Sequence, residues 1–122
     1  MGLARNIMGG GFSAGQAKAI NGATVTGLTA AGTVITDALD LVADVNAIGT
    51  CASGAGVQLP SGEVGDSLYV YNGGANACKV YPDSSSNQIN QLSAGSAMSL
   101  ATATTCMFIK VSSTRWIAVL SA

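Results

Sequence analysis

The clearest alternation of apolar and polar positions lies in residues 66–82, DSLYVYNGGANACKVYP. In residues 67–71 leucine and valine alternate with two tyrosines, which in a strand places the two kinds of side chain on opposite faces. Residues 72–76, NGGAN, favour a tight reversal because glycine and asparagine accept positive φ. Cys78 and Val80 then alternate with Lys79 and Tyr81. The segment is therefore predicted to be a β-hairpin.

Similar short apolar runs, separated by turn-forming residues, continue along the chain and predict further strands. They lie in residues 24–52 (three or four strands), 57–59, 97–100, 105–111 and 115–120. A helix over residues 36–47, with apolar side chains spaced by three, is the alternative there, although its β-branched residues disfavour it. Lys79, Lys110 and Arg115 are expected on the outer faces of their strands, opposite a cleaner apolar row.

About eight or nine short strands without a secure helix predict an all-β fold. We expect one antiparallel β-sandwich or jelly-roll-like barrel over residues 23–122. Residues 1–22 are predicted to form an extended, flexible N-terminal arm, because they are rich in glycine and alanine and their large apolar residues are widely spaced. Such an arm orders when it lies on a partner. The alternative is a frayed terminus without function.

The composition indicates a protein that works in an assembly. The chain has 122 residues, enough for one domain. Charged residues make up only 9% of it and hydrophobic residues 48%, whereas soluble domains usually carry about 25% charged residues. Short, uncharged side chains shield a lone subunit poorly from association. We therefore expect a homo-oligomer.

The distribution of charge argues against two kinds of partner. The net charge is −1, and the five cations are scattered along the sequence, so binding to nucleic-acid phosphates is not expected. No apolar span approaches the roughly 20 uncharged residues of a membrane helix. The N-terminus also lacks the continuous apolar stretch of a secretory signal. We expect neither nucleic acid nor membrane as a partner.

Few residues offer catalytic or metal-binding chemistry. The chain contains no histidine, so a Ser–His or Cys–His nucleophile cannot form. Cys51, Cys78 and Cys106 are odd in number and lack zinc-ligand spacing, and we expect free, buried thiols in a reducing cytosol. Acid–base roles are open to several carboxylates, but turn roles are favoured. These carboxylates are Asp37, Asp40, Asp44, Glu63 and Asp66. A solvated loop is also favoured over a calcium site at residues 83–87. We expect no catalytic, cofactor-binding or metal-binding residue, and no cofactor.

The three tyrosines form the main aromatic feature. Tyr69, Tyr71 and Tyr81 are predicted to share one exposed or interface face. Such a face can stack on a sugar or a base. With aromatic residues at 5% of the chain, a subunit interface is the favoured interpretation.

Several short segments follow one another in a characteristic order. They are Leu-Pro at 59–60, Gly-Asp at 65–66, SLYVYNGGANACKVYP at 67–82, Ile-Asn at 89–90, the turn and strand at 92–100, and the closing hairpin that ends at Trp116. In this order of segments the chain resembles small virion proteins of tailed bacteriophages, namely capsid decoration (cement) proteins and head-fibre domains. The resemblance covers about residues 24–120 and implies a β-rich, often trimeric subunit that docks on the outer surface of a capsid lattice and reinforces it. It carries over no individual functional residue.

The expected function is therefore capsid decoration. The protein would be made in the host cytoplasm, assemble as a trimer and bind the major capsid protein on the outer surface of the virion. The candidate capsid contacts are the apolar residues of the arm, Leu3, Ile7, Met8 and Phe12. A tail or fibre module that binds a host glycan through the tyrosines is the alternative. A small carboxylate-dependent enzyme is a third hypothesis.

Overall fold

The computed structural model describes residues 23–121, and this part of the chain is nearly all β-structure. Ten strands form two sheets, accompanied by a single-turn 3-10 helix at Ile35–Asp37. The six strands of the large sheet are β1 (Thr24–Thr29), β3 (Val45–Thr50), β5 (Ser67–Asn72), β7 (Gln88–Ile89), β9 (Thr104–Ser112) and β10 (Arg115–Leu120). The four strands of the small sheet are β2 (Leu39–Asp40), β4 (Gly56–Gln58), β6 (Cys78–Tyr81) and β8 (Met98–Leu100).

The first six strands wind as three stacked coils. Each coil contributes one strand to the large sheet and the next to the small sheet. The order of the large sheet begins β1-β3-β5 and that of the small sheet β2-β4-β6, with all of these neighbours parallel. In register, Val45 lies opposite Tyr69, and Val57 lies opposite Val80. This coiled path suggests a short β-solenoid.

The last strands close the open end of the coils. β8 and β9 run antiparallel to β6 and β5, so a fourth layer returns in the opposite direction. β10 pairs antiparallel with β9, and β7 pairs in parallel with β10 at the far edge of the large sheet. The large sheet therefore extends three strands beyond the coils.

The hydrophobic core lies between the two sheets and draws side chains from both. Its largest fully buried side chains include Ile48, Val57, Val70, Val80, Leu100, Phe108 and Trp116. Burying each aliphatic or phenylalanine side chain stabilises the fold by about 1.5–3 kcal/mol before the entropy of ordering is subtracted. The alternation predicted for β5 is confirmed, because Leu68 and Val70 are buried while Tyr69 and Tyr71 are exposed.

The all-β prediction is confirmed, but the antiparallel sandwich or jelly-roll topology is wrong. β5 and β6 belong to different sheets, so residues 66–82 do not form a hairpin. The Gly/Asn segment between them turns a corner of the coil instead. Asn72 holds this corner, since its Nδ2 donates to the carbonyls of Asn76 and Leu100 at 2.9 Å and its Oδ1 accepts from the Gly74 N–H.

Gly74 explains why this corner needs a residue without a side chain. A Cβ atom at this position would lie 2.7 Å from the backbone nitrogen of Cys51 on the preceding coil. The glycine therefore allows two coils to approach closely. Gly74 is therefore required because two coils approach closely there, and not because a hairpin turn needs a positive φ.

Two further expectations are settled by the described residues. The three strands β1, β2 and β3 lie between residues 24 and 52, as predicted, and the alternative helix over 36–47 is not formed. The strand count is ten instead of eight or nine. The predicted arm at residues 1–22, with Leu3, Ile7, Met8 and Phe12, lies outside the described residues.

Candidate interaction face

The outer face of the large sheet is the most distinctive surface of the described chain. It is formed by the side chains on β3, β5, β9 and β10 that alternate with the buried ones. We define this outer face by ten residues: Val45, Ala47, Tyr69, Tyr71, Thr105, Met107, Ile109, Val111, Ile117 and Val119. None of the ten is charged. Ser67 and Arg115 alternate with the buried Leu68 and Trp116, so they lie on the same side of the sheet, at the end where β5 and β10 begin.

The strand register brings these side chains into rows. Val45, Tyr69, Met107 and Val119 lie opposite one another in sequence across four neighbouring strands. At a strand spacing of about 4.8 Å, such a row is roughly 14 Å wide. A second row pairs Ile109 with Ile117. The outer face is thus continuous, because cross-strand neighbours lie in contact distance.

Several members of the outer face are substantially exposed. Val119 is 49% exposed, Tyr69 43% and Ile117 41%. Together with Thr105, Met107, Leu120 and Ser121, Tyr69 and Val119 line a shallow hollow of about 240 Å³. A hollow of this size, with mostly apolar walls, suits an apolar side chain from a partner.

The charges nearest this face lie at one end of it. Asp44 and Asp66 directly precede β3 and β5, and Arg115 begins β10. These three strands run in the same direction, so their starts share one end of the sheet. The Arg115 Nη2 donates to Gln88 Oε1 at 2.8 Å.

The tyrosine prediction is correct for two residues and wrong for the third. Tyr69 and Tyr71 lie on the outer face of the large sheet, but Tyr81 belongs to the small sheet and is only 7% exposed. The Tyr81 hydroxyl donates to the Thr33 carbonyl at 3.1 Å, so the segment before the 3-10 turn covers the ring. Burial and the nearby Asp37 charge raise the pKa of Tyr81. Tyr81 is therefore packed within the fold and does not belong to the exposed aromatic surface.

Behind the outer face, a buried ion pair connects strands to loops. The Lys110 Nζ donates to Asp83 Oδ2 at 2.7 Å and to the Gly62 carbonyl at 2.8 Å. Asp83 Oδ1 accepts from Asn87 Nδ2 at 2.6 Å and from Trp116 Nε1 at 3.1 Å. The ammonium lies 5.7 Å from the centre of the Trp116 ring. This network fixes the loops at residues 60–66 and 82–87 against β9 and β10.

The expected outward position of Lys110 is therefore wrong. Lys110 shares the buried side of β9 with Cys106 and Phe108, and Met107, Ile109 and Val111 form the outer row. The lysine occupies the core side because Asp83 and the Gly62 carbonyl satisfy its ammonium there. The charge alone gave no indication of these partners.

Asp83 is adapted to remain ionised. Burial by itself would raise the pKa of this carboxyl, but hydrogen bonds from Asn87, Lys110 and Trp116, with the charge of Lys110, outweigh burial and lower the pKa below its ordinary value. An acceptor-only carboxylate suits three donors. The group acts as a fixed anion within the fold.

Three of the carboxylates considered for acid–base chemistry accept hydrogen bonds from backbone N–H groups. Asp37 Oδ1 accepts from the backbone of Thr33 and Val34, and Asp66 Oδ2 accepts from that of Glu63 at 2.9 Å. Asp44 Oδ2 accepts from the Ala23 N–H at 3.1 Å. The local bonds of Asp37 and Asp66 confirm the turn interpretation for these two aspartates, whereas the Asp44 bond joins the start of β3 to the residue before β1. Across residues 23–121, no group of three or more potential metal ligands comes together.

The three cysteines are free and buried, as predicted. Burial, with a smaller effect of neighbouring Cys51, raises the pKa of Cys78 to about 12. Burial also raises the pKa of Cys106 to about 11. Both groups are neutral thiols within the core.

Comparisons of the chain with protein-family models, curated proteins and solved structures returned no match. In the described part, no helix reaches the length and apolarity needed to cross a membrane.

Proposed function

We propose that the protein is a structural subunit of a tailed-phage virion, a trimeric decoration protein that binds the major capsid protein on the outer surface of the head. The observation that carries this proposal is the exposed, uncharged outer face of the large sheet. Such a face is typical of a subunit that buries apolar surface against other proteins. The resemblance of residues 24–120 to capsid decoration and head-fibre proteins supplies the kind of assembly.

A decoration protein must be stiff to reinforce a lattice. Stacked parallel coils, a core shared by two sheets and the buried Lys110–Asp83 pair support the proposal of a stiff body. A subunit that binds only the assembled lattice stabilises it by mass action. Three linked copies that engage several sites at once strengthen this effect without new contacts.

The proposed contacts with the major capsid protein come from Leu3, Ile7, Met8 and Phe12. Burial of each side chain in a pocket contributes about 1.5–3 kcal/mol, from which the cost of ordering the backbone is subtracted. The glycines at 9–11 permit close backbone approach to a partner. The outer face and the arm then serve different contacts, one within the oligomer and one with the lattice.

Binding to heads tests the proposal directly. Heads of the phage whose genome encodes this chain, prepared without it, are mixed with the full-length protein and imaged by electron cryomicroscopy. We expect density at repeated lattice positions and a higher temperature for release of the packaged DNA. Absence of density on heads at saturating protein, or density confined to the tail, contradicts the proposal.

A matched pair of full-length variants tests the arm. In the first variant, serine replaces four apolar residues, Leu3, Ile7, Met8 and Phe12. This variant should occupy fewer sites on heads than the wild type. A control with Ser13→Ala and Gln16→Ala changes polar residues of the same segment and should bind as the wild type does. Equal occupancy of the two variants would show that the arm is not the anchor.

A tail or fibre module that binds a host glycan is the second candidate. It is favoured by Tyr69 and Tyr71, which are exposed side by side on one face of β5, with the Thr105 hydroxyl opposite Tyr71. Aromatic rings stack on the apolar faces of sugars while hydroxyl groups orient them. Glycan binding that is lost in Tyr71→Ala, together with location at the tail, would favour this candidate over decoration.

A further inference from the structure

The two sheets of the body have outer sides of opposite chemistry. On the small sheet the register places Asp40 beside Gln58, and Lys79 beside Ser99, so polar side chains face outward. On the large sheet the corresponding positions are mostly apolar, with Ser67, Thr105 and Arg115 as the polar exceptions on β5, β9 and β10. A strand face that meets only water is usually polar. The outer face of the large sheet therefore has the composition of a contact surface.

We propose that the outer face of the large sheet packs against other copies of this chain and forms the centre of a homo-oligomer. This inference deepens the proposed function and rests on it only for the expectation that the subunits assemble. None of the ten residues of the face is charged, so a second copy brings no like-charge repulsion to the central rows. Arg115 lies on the same side at the end of the sheet, where it donates to Gln88. A charged partner surface would leave its own charges unsatisfied there.

The charges that border the face are complementary between copies. Asp44 lies at the β3 side and Arg115 at the β10 side of the same end of the sheet. The edges of the sheet are β7, next to β10, and β1, next to β3. When copies are arranged around an axis parallel to the strands, the β7 edge of one copy meets the β1 edge of the next, and Arg115 and Asp44 each lie one strand in from these edges. Opposite charges then approach at the rim, while the apolar rows meet at the centre.

Full-length variants distinguish this surface from the rest of the body. Met107→Glu and Val119→Lys each place a charge in the row that contains Tyr69, and Ser99→Glu places a charge on the outer side of the small sheet as the control. Molar mass is measured by light scattering and sedimentation over about a hundredfold range of concentration. Circular dichroism and the melting temperature report whether each variant is folded.

We expect the wild type and Ser99→Glu to have a mass that is a multiple of the 12.0 kDa of one chain, whereas both face variants have the mass of a single chain. If the charged variants do not fold, the double variant Ile117→Thr and Val119→Thr retains β-branched side chains and should still weaken association at least tenfold. Folded face variants with unchanged mass overturn the proposal. A second result also overturns the proposal. If the wild type is a monomer, and a hydrophobic dye binds the outer face only in the variant with serine at Leu3, Ile7, Met8 and Phe12, then residues 1–22 cover the face in place of a second copy.

Head binding separates this inference from the proposed function. An oligomer that is disrupted by Met107→Glu but never binds heads supports this interface and contradicts decoration. If the wild type decorates heads and the Met107→Glu variant is still an oligomer, the result supports decoration and contradicts this interface.

Discussion

The ammonium of Lys110 lies 2.7 Å from a carboxylate oxygen of Asp83, and the two side chains are only 7% and 6% exposed. Lys110 belongs to β9, while Asp83 follows β6 of the other sheet. The pair therefore connects the two sheets at the end where the loops at 60–66 and 82–87 meet. Buried pairs of this kind are costly to break, because each charge has already lost its water.

Removal of the cation should destabilise the fold strongly. Lys110→Met preserves much of the side-chain length but leaves the Asp83 carboxylate with only Asn87 and Trp116 as side-chain donors. We expect the free energy of unfolding to fall by about 3 kcal/mol. Urea denaturation at a fixed protein concentration measures it. The double variant Lys110→Met and Asp83→Asn is the control and should recover part of the loss, whereas strictly additive losses would show that the two groups are not coupled.

The lowered pKa of Asp83 predicts acid sensitivity. The ionised carboxyl stabilises the folded state at any pH above the ordinary aspartate value of about 3.9, and this contribution is lost as the pH falls through the lower folded pKa. The stability difference between wild type and Asp83→Asn should therefore shrink from about pH 6 to about pH 2.5. Urea denaturation of both proteins along this series measures it. A difference that is constant with pH would contradict the assignment.

Much of the local structure was predictable from the sequence because alternation fixes the face on which a side chain lies. Leu68, Val70 and Trp116 are buried, and Tyr69 and Tyr71 are exposed, as their spacing predicts. Alternation does not identify the neighbouring strand, since parallel and antiparallel pairs give the same period. The partner of β5 on the coil side is β3, and no local pattern distinguishes it from β6.

The candidate face and its buried support were predicted only in part. Tyr69 and Tyr71 indicate an exposed aromatic surface, but an outward Lys110 implies that Met107 and Ile109 point inward, whereas both lie on the outer face. In β9, Cys106 and Phe108 alternate with Met107. Because both sets are apolar, this alternation alone does not show which set is buried. Tyr81 is covered by residues near Thr33, 48 positions earlier, and local sequence does not reveal such a contact.

The buried thiols should be unreactive in the folded protein. The thiolate is the nucleophile, and burial raises the pKa of Cys78 to about 12 and that of Cys106 to about 11. We expect iodoacetamide at about pH 8 to leave Cys78 and Cys106 unmodified for a period in which urea-unfolded protein is fully alkylated. Mass spectrometry of peptides measures each site. Rapid labelling of the native protein, or an intact mass lower by two hydrogen atoms, would contradict free buried thiols.

Gly56 on β4 marks a close approach between two coils. A Cβ atom there would lie 2.7 Å from the Lys79 carbonyl oxygen and 2.9 Å from the Tyr81 ring. Both neighbours belong to β6, the parallel partner of β4. An antiparallel hairpin of β5 and β6 would not require this glycine, so its substitution tests the coiled arrangement.

Gly56→Ala should destabilise the protein by about 1–3 kcal/mol, because the backbone of β6 must move to accept the methyl group. Gly49→Ala on β3 is the matched control. Its Cβ would meet Gly27 Cα at 3.4 Å, an ordinary contact, and the lower entropy of the unfolded chain should leave this variant neutral or more stable by up to about 1 kcal/mol. Urea denaturation at one protein concentration measures both. If Gly56→Ala is as stable as Gly49→Ala, β4 and β6 do not lie in register as parallel neighbours, and the stacking of the second and third coils is wrong.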